Sequence, residues 1–190
     1  MQIYEPAEDS YLLQKSLIVY LNNLIQDNKK YKFIDSKKIK ILDMGSGSGI
    51  QAETCFNKGF KNVFAADINQ KAIIELKKKK LKTIQTDLFK NINKTKKFDL
   101  IVFNSPYLPE NKYDKGLDTT AGKKGYEIIV KFLKQAKDYL NKNGKILLLF
   151  STLSKPKIIL KNAEKFGYKY TLLDKKRLFF EQLYVYIFFL

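Results

Sequence analysis

Histidine is absent from this chain, cysteine occurs once, and of its 36 basic residues only Arg177 is an arginine. Without histidine the commonest zinc ligand and the commonest general base are both missing, which excludes Ser-His-Asp chemistry and zinc-dependent hydrolysis. Cys55 stands alone and cannot form an internal disulfide. Long apolar runs are missing as well. The most apolar stretch, residues 183–190, is far too short to span a bilayer, and no secretory leader opens the chain, so a soluble, cytoplasmic protein is expected. The scarcity of arginine also qualifies the formal charge of +17. A basic field attracts phosphate whatever its sequence, but specific recognition favours the forked guanidinium over the lysine ammonium. The charge reads as lysine-rich compositional bias that permits non-specific nucleic-acid binding.

With 190 residues the chain suits one domain that buries its own core. Tyr4-Glu5-Pro6-Ala7-Glu8-Asp9-Ser10 precedes Leu12, Leu13, Leu17, Leu21 and Leu24, apolar positions at helical spacing. Asp9 or Ser10 suits the cap of that helix, and the acidic and aromatic cluster also suits a lid over a cationic ligand. Residues 22–40 read as a polar connector. A strand from Ile39 then enters Asp43-Met44-Gly45-Ser46-Gly47-Ser48-Gly49. Glycines at alternate positions let the backbone pass close to a ligand, and the next helix, 49–58, presents its amino end there. The spacing differs from the dinucleotide pattern, and Asp43 repels phosphate while attracting an amino or sulfonium cation. A second strand, 62–67, ends in Asp67, an acid about 20 residues past the loop, where ribose hydroxyls are bound. After a helix over 70–80, a strand over 83–86 ends in Asp87-Leu88. That aspartate suits an adenine amine, or is a plain turn.

A fourth apolar strand, 98–103, runs into Asn104-Ser105-Pro106-Tyr107. Asparagine both donates and accepts, proline stiffens the backbone, and tyrosine adds a flat ring, a set that can grip a planar group bearing N–H bonds. The same residues also punctuate ordinary turns. Residues 108–125, with Tyr113, Asp114 and Gly116, form a loop long enough to be functional and are expected over the site. A helix over 126–139 that stops near Asn143-Gly144, a buried strand over 146–150 and a helix over 155–166 follow. Strands over 168–173 and 183–189 are expected as a hairpin around Lys175-Lys176-Arg177. Alternation of this kind gives a mostly parallel sheet with ligands at its carboxyl ends.

Asp43-x-Gly45-x-Gly47-x-Gly49, Asp67, Asp87 and the tetrapeptide at Asn104 resemble the motifs of class I S-adenosylmethionine-dependent methyltransferases. The opening Tyr4 to Ser10 is similar to that of the HemK-like branch of archaea and eukaryotes, whose members methylate the Gly-Gly-Gln glutamine of class I peptide release factors. Gly122-Lys123-Lys124-Gly125-Tyr126-Glu127 and Phe180-Glu181-Gln182-Leu183 extend the resemblance over nearly the whole chain. It implies an α/β, Rossmann-like class I methyltransferase fold: a seven-stranded, mostly parallel sheet with a C-terminal antiparallel hairpin, preceded by an N-terminal helix. One methyltransferase domain is expected over 1–190, with a lid helix in 1–25 and the sheet core in 38–190. The resemblance further implies S-adenosyl-L-methionine as cofactor, with Asp43 and Gly45 at its methionine part and Gly47 also binding it. Asp67 would hold the ribose, Asp87 the adenine, and Ser10 would reach in from the lid. Asn104, Pro106 and Tyr107 would be catalytic, Asn104 touching the cofactor and orienting the accepting amide. No metal is implied for this chain. Ser105 departs from the family's usual proline; it keeps the backbone carbonyl that matters there but loosens the loop.

The tetrapeptide grips an adenine amine equally well, so N6-adenine methylation of DNA or RNA stays open, as does protein lysine methylation. The length leaves no room for a large DNA target-recognition domain. A cofactor-binding scaffold without activity would predict a broken site, yet Asn104, Pro106 and Tyr107 all stand. The fold class puts the third strand at a sheet edge, and the resemblance implies a small zinc-binding activator subunit that pairs there, near Ile84, to form a heterodimer.

Overall fold

The computed structural model describes residues 2–31, 38–108 and 124–190. Seven strands form one sheet in the order β3-β2-β1-β4-β5-β7-β6. The strands are β1 (Lys40–Met44), β2 (Asn62–Asp67), β3 (Lys82–Gln85), β4 (Phe98–Asn104), β5 (Leu140–Ser151), β6 (Lys169–Arg177) and β7 (Gln182–Phe189). The first five are parallel, β7 is antiparallel to β5, and β6 is antiparallel to β7. This is the expected mostly parallel sheet with a closing hairpin.

Strands buried on both faces read as near-continuous apolar runs, and alternate residues feed two cores. Leu100, Val102, Leu147 and Leu149 face α1 (Glu8–Tyr31), α2 (Ile50–Asn57) and α3 (Gln70–Lys78). Ile101, Phe103, Ile146, Leu148 and Phe150 face α4 (Glu127–Ala136) and α5 (Pro156–Lys165). Three layers result, and among the described residues no helix is long and apolar enough to cross a membrane.

Three expectations change. The first helix is not confined to residues 1–25 but reaches Tyr31, because residues 22–31 contain no glycine or proline and Leu24 and Ile25 still pack on the core. Residues 32–37 of the expected connector lie outside the described residues. Asn143-Gly144 does not stop a helix. α4 ends at Ala136, a single 3-10 turn follows, and Asn143 at φ 67° sits within β5, where the pairing register shifts between Phe98 and Leu100. A side chain on Gly144 would meet the Asn141 and Phe98 carbonyl oxygens at 2.9 Å, so only glycine fits this irregularity. The hairpin does not turn at Lys175-Lys176-Arg177 either. β6 runs through all three, and residues 178–181 make the turn, closed by the Leu178 N–H donating to the Glu181 carbonyl at 2.8 Å.

Candidate active site

A cavity of about 430 Å³ opens at the carboxyl ends of β1, β2 and β4. Ser10, Asp43, Gly45, Gly47, Asp67, Asp87, Asn104, Pro106 and Tyr107, all singled out from the sequence, line it. The loop after β1 can take its shape only with glycine. Gly45 and Gly49 have φ of 61° and 91°, and a side chain on them would meet the Phe103 ring at 3.1 Å and Leu76 at 2.6 Å. Asp43, buried at the end of β1, accepts from the Ser46 hydroxyl at 2.5 Å and the Ala52 N–H at 3.1 Å, so it braces both the loop and the start of α2. Burial pushes its carboxyl up to about 7, against the pull of those two bonds; the Asp67 charge adds to the rise. Asp67 accepts from the Gly47 N–H and the Asn69 N–H, both at 2.8 Å, and ties the glycine loop to the end of β2. Asp87 stands at the rim, 3.5 Å from the Lys131 ammonium.

The carboxamide of Asn104 is held by one end. Its nitrogen donates to Asp9 at 3.1 Å and to the Ser10 hydroxyl at 3.3 Å, while its oxygen is buried without a partner. These bonds settle which end is nitrogen, because a flipped amide would set oxygen against a carboxylate. Ser105 answers the question of loop rigidity: its hydroxyl donates to the Leu149 carbonyl of β5 at 2.6 Å in a fully buried position. That bond, worth about 1 kcal/mol, restores stiffness where a proline ring is absent. Burial and the neighbouring Asp9 carboxylate push the phenols of Tyr4 and Tyr107 well above their ordinary range, so both stay protonated and neither serves as a base.

The sequence reading missed several neighbours. Asp9 is not a helix cap: the Ala7 carbonyl takes the first helical bond, from Tyr11, and the Asp9 carboxylate is buried against Tyr4, the Ser10 N–H and Asn104. Gln51 is buried in the cavity wall, its nitrogen donating to the Ser10 carbonyl at 2.8 Å and its oxygen unpartnered. Nothing in a lone glutamine after a glycine loop could have flagged it. Leu88 takes φ 48°, an uncommon value for leucine, in a turn braced by the Thr86 hydroxyl bonding its carbonyl at 2.9 Å. With Ile68 it gives the cavity an apolar flank beside Asp67 and Asp87. Of the expected covering loop, Leu108 lines the cavity, while residues 109–123, with Tyr113, Asp114, Gly116 and Gly122, lie outside the described residues.

A mostly parallel sheet in this order, with a glycine loop and acid-ended strands around one cavity, is the class I methyltransferase architecture. The chain belongs to the methyltransferase small domain family, which it matches over residues 29–179. Over 195 aligned residues it is 33% identical to a Methanocaldococcus jannaschii protein named as a candidate protein N5-glutamine methyltransferase, covering 97% of this chain and 90% of that one. Methyltransferase HEMK2 of Homo sapiens is 29% identical over 175 residues, 84% of this chain and 76% of that one. Among solved structures, the E. cuniculi Mtq2-Trm112 complex, responsible for methylation of the eRF1 translation termination factor, contains a chain that superposes with a TM-score of 0.74. The two are 26% identical, and the match covers 99% of this chain and 98% of that one.

Proposed function

We propose that this protein is an S-adenosyl-L-methionine-dependent methyltransferase acting on N5 of the Gly-Gly-Gln glutamine of a class I peptide release factor. The observation that carries this reading is the unpartnered, buried oxygen of Asn104, a side chain of the cavity wall whose nitrogen is held by Asp9 and Ser10. An acceptor so placed needs an N–H from a ligand. The cavity fits the cofactor on the same ground: Asp43, Asp67, Gln51 and Asn104 make its wall rich in acceptors, suited to an ammonium, ribose hydroxyls and a cationic sulfur. Asp43 and Gly45 would hold the methionine part, Gly47 and Asp67 the ribose, Asp87 and Leu88 the adenine, and Ser10 would close the lid side. When bound, the cofactor supplies an electrophilic methyl on a sulfonium that carries its own leaving group.

The chain's task is then alignment. Asn104 Oδ1 and the Ser105 carbonyl each accept an N–H of the target amide, holding its nitrogen toward the methyl, and the half-buried ring of Tyr107 packs on the amide plane beside Pro106. Methyl transfer would leave the sulfur neutral and put positive charge on the target nitrogen, which both acceptors would stabilise until one proton leaves to water. No strong base is required, which agrees with a chain that has no histidine.

The reading also has residues 1–190 as one methyltransferase domain at work in the cytoplasm, in a heterodimer with a small zinc-binding subunit on the edge strand β3. β3 pairs with β2 on one side only among the described residues, and Ile84 is half-buried there. The Mtq2-Trm112 complex supports the heterodimer as a two-chain assembly. The test gives purified protein, labelled cofactor and three acceptors together: release factor, DNA and RNA at physiological salt. Label is expected in the release factor and lost when its motif glutamine is replaced. Label in nucleic acid with none in the release factor would overturn the reading in favour of adenine methylation.

A further inference from the structure

Phe179 and Phe180 in the β6–β7 turn are 90% and 87% exposed, whereas the next large apolar side chain among the described residues, Leu190, is 60% exposed. Exposure on that scale is not the fraying of a loose loop. Leu178 beside them packs on the core under α1, the Gln182 N–H donates to the Thr152 hydroxyl at 3.1 Å, Lys15 pairs with Asp174 at 2.8 Å, and Lys176 pairs with Glu8. The turn is tied to both α1 and the end of β5, and it holds two phenylalanines in water. Each ring left there forgoes the gain from burial, which scales with apolar area at about 25 cal/mol per Å². Exposed apolar groups on a braced element mark a contact surface.

Topology places this surface beside the acceptor end of the cavity. β7 is antiparallel to β5, so its first residues stand at the same sheet edge as the last residues of β1 to β5. Leu183 pairs with Ser151, two residues beyond Leu149, which pairs with Asn104. β7 is therefore two strands over from Asn104, ~10 Å at ordinary strand spacing. Glu181, next in the turn, acts electrostatically on both Tyr4 and Tyr107. The cofactor half, β1 to β3, lies on the other side of β4.

We propose that Phe179 and Phe180, flanked by Lys175 and Arg177, form the docking site for the folded protein that presents the acceptor amide. The matching surface on that protein is an apolar depression rimmed by carboxylates. The identity of that protein rests on the release-factor reading. The two rings meet edge to face, 4.6 Å apart at 80°, and so make one apolar knob instead of two parallel platforms for stacked bases. Among the described residues no carboxylate pairs with Lys175 or Arg177, which leaves both cations for acidic groups on the rim. Glu181 in the same turn disfavours a phosphate backbone. The zinc-binding subunit belongs at β3, the opposite edge of the sheet, and does not compete for this surface.

The test compares wild type, Phe179→Ser/Phe180→Ser and Arg177→Glu, each with and without the zinc-binding subunit, on two substrates: intact release factor and a short peptide carrying only its Gly-Gly-Gln segment. Kinetics are read beside calorimetry with S-adenosylhomocysteine and a single-stranded RNA retention assay. Substitution of side chains this exposed leaves the fold intact. For intact release factor, kcat/KM is expected to fall at least about tenfold in the double variant, through KM, with a smaller fall in Arg177→Glu. Peptide kinetics and S-adenosylhomocysteine affinity stay within about twofold, since neither contact reaches the turn. Unchanged kinetics on the intact substrate, an equal loss on the peptide, or a loss confined to RNA retention would each overturn the docking site. Wild-type protein that labels no release factor overturns the parent reading instead, and the docking site with it.

Discussion

Asn104 differs at its two ends: the nitrogen is spent on Asp9 and Ser10, and the oxygen is without a partner, which under the proposed function is kept for a ligand. Asn104→Ala removes the acceptor without disturbing the glycine loop. Turnover is expected to fall on the order of 100-fold or more while S-adenosylhomocysteine affinity stays within a few-fold. Wild-type turnover in that variant would reduce the tetrapeptide to a turn. Asp43 makes a different prediction. Its carboxyl is raised to about 7 from 3.8, so the ligand-free folded state binds more protons than the unfolded chain between those values. Stability from this group is therefore present at low pH and lost as pH rises toward 7. Cofactor binding runs the opposite way, because the ammonium favours the ionised carboxylate. S-adenosylhomocysteine affinity should weaken as pH drops below 7 and the complex should release a proton on forming. Calorimetry across pH 5.5 to 8 checks both signs, and Asp43→Asn should flatten the profile; a flat profile in the wild type would remove the ammonium from Asp43.

At the scale of elements, the edge strand β3 carries the next test. Its burial pattern leaves Lys82 and Gln85 exposed and Thr83 and Ile84 half-buried, and Ile74 of α3 is 45% exposed. An open edge with apolar surface at hand suits an added strand. Ile84→Lys should cut co-purification with the zinc-binding subunit severalfold and leave S-adenosylhomocysteine affinity unchanged, since Ile84 is outside the cavity wall. Undiminished co-purification would move the partner elsewhere. Element existence was readable throughout from apolar spacing, but ends were not. The tail of α1 looked polar because only one of its faces meets the core, and the first half of β5 read as the stop of a helix because Asn143 and Gly144 carry a register irregularity there.

For the whole molecule, the charge of +17 and the acceptor-rich cavity point in different directions. The lysines lie mostly on the surface, where exposed pairs such as Lys78 with Glu75 are worth less than 1 kcal/mol and salt screens what remains. Such a field draws any polyanion weakly. The cavity wall instead carries Asp9, Asp43 and Asp67, acceptors that suit a cationic, N–H-bearing ligand. On the proposed reading the cofactor is therefore chosen by this small buried part, and the lysine-rich field adds little to that choice.

The sequence by itself determined the mostly parallel architecture and the glycines, strand-end acids and tetrapeptide around the cavity, because these depend on local signals. Buried strands show as apolar runs, glycines show where backbone must turn with positive φ, and acids show at strand ends. Only the tertiary structure decided what those residues do to one another. Asp9 and Asn104 are 95 positions apart, Gln51 and Ser10 are 41 apart, and Ser105 meets Leu149 across 44. Hydrogen bonds across such separations leave no spacing in the chain to read. They form only once the sheet has brought the ends of β1, β4 and β5 to one edge and laid α1 over them.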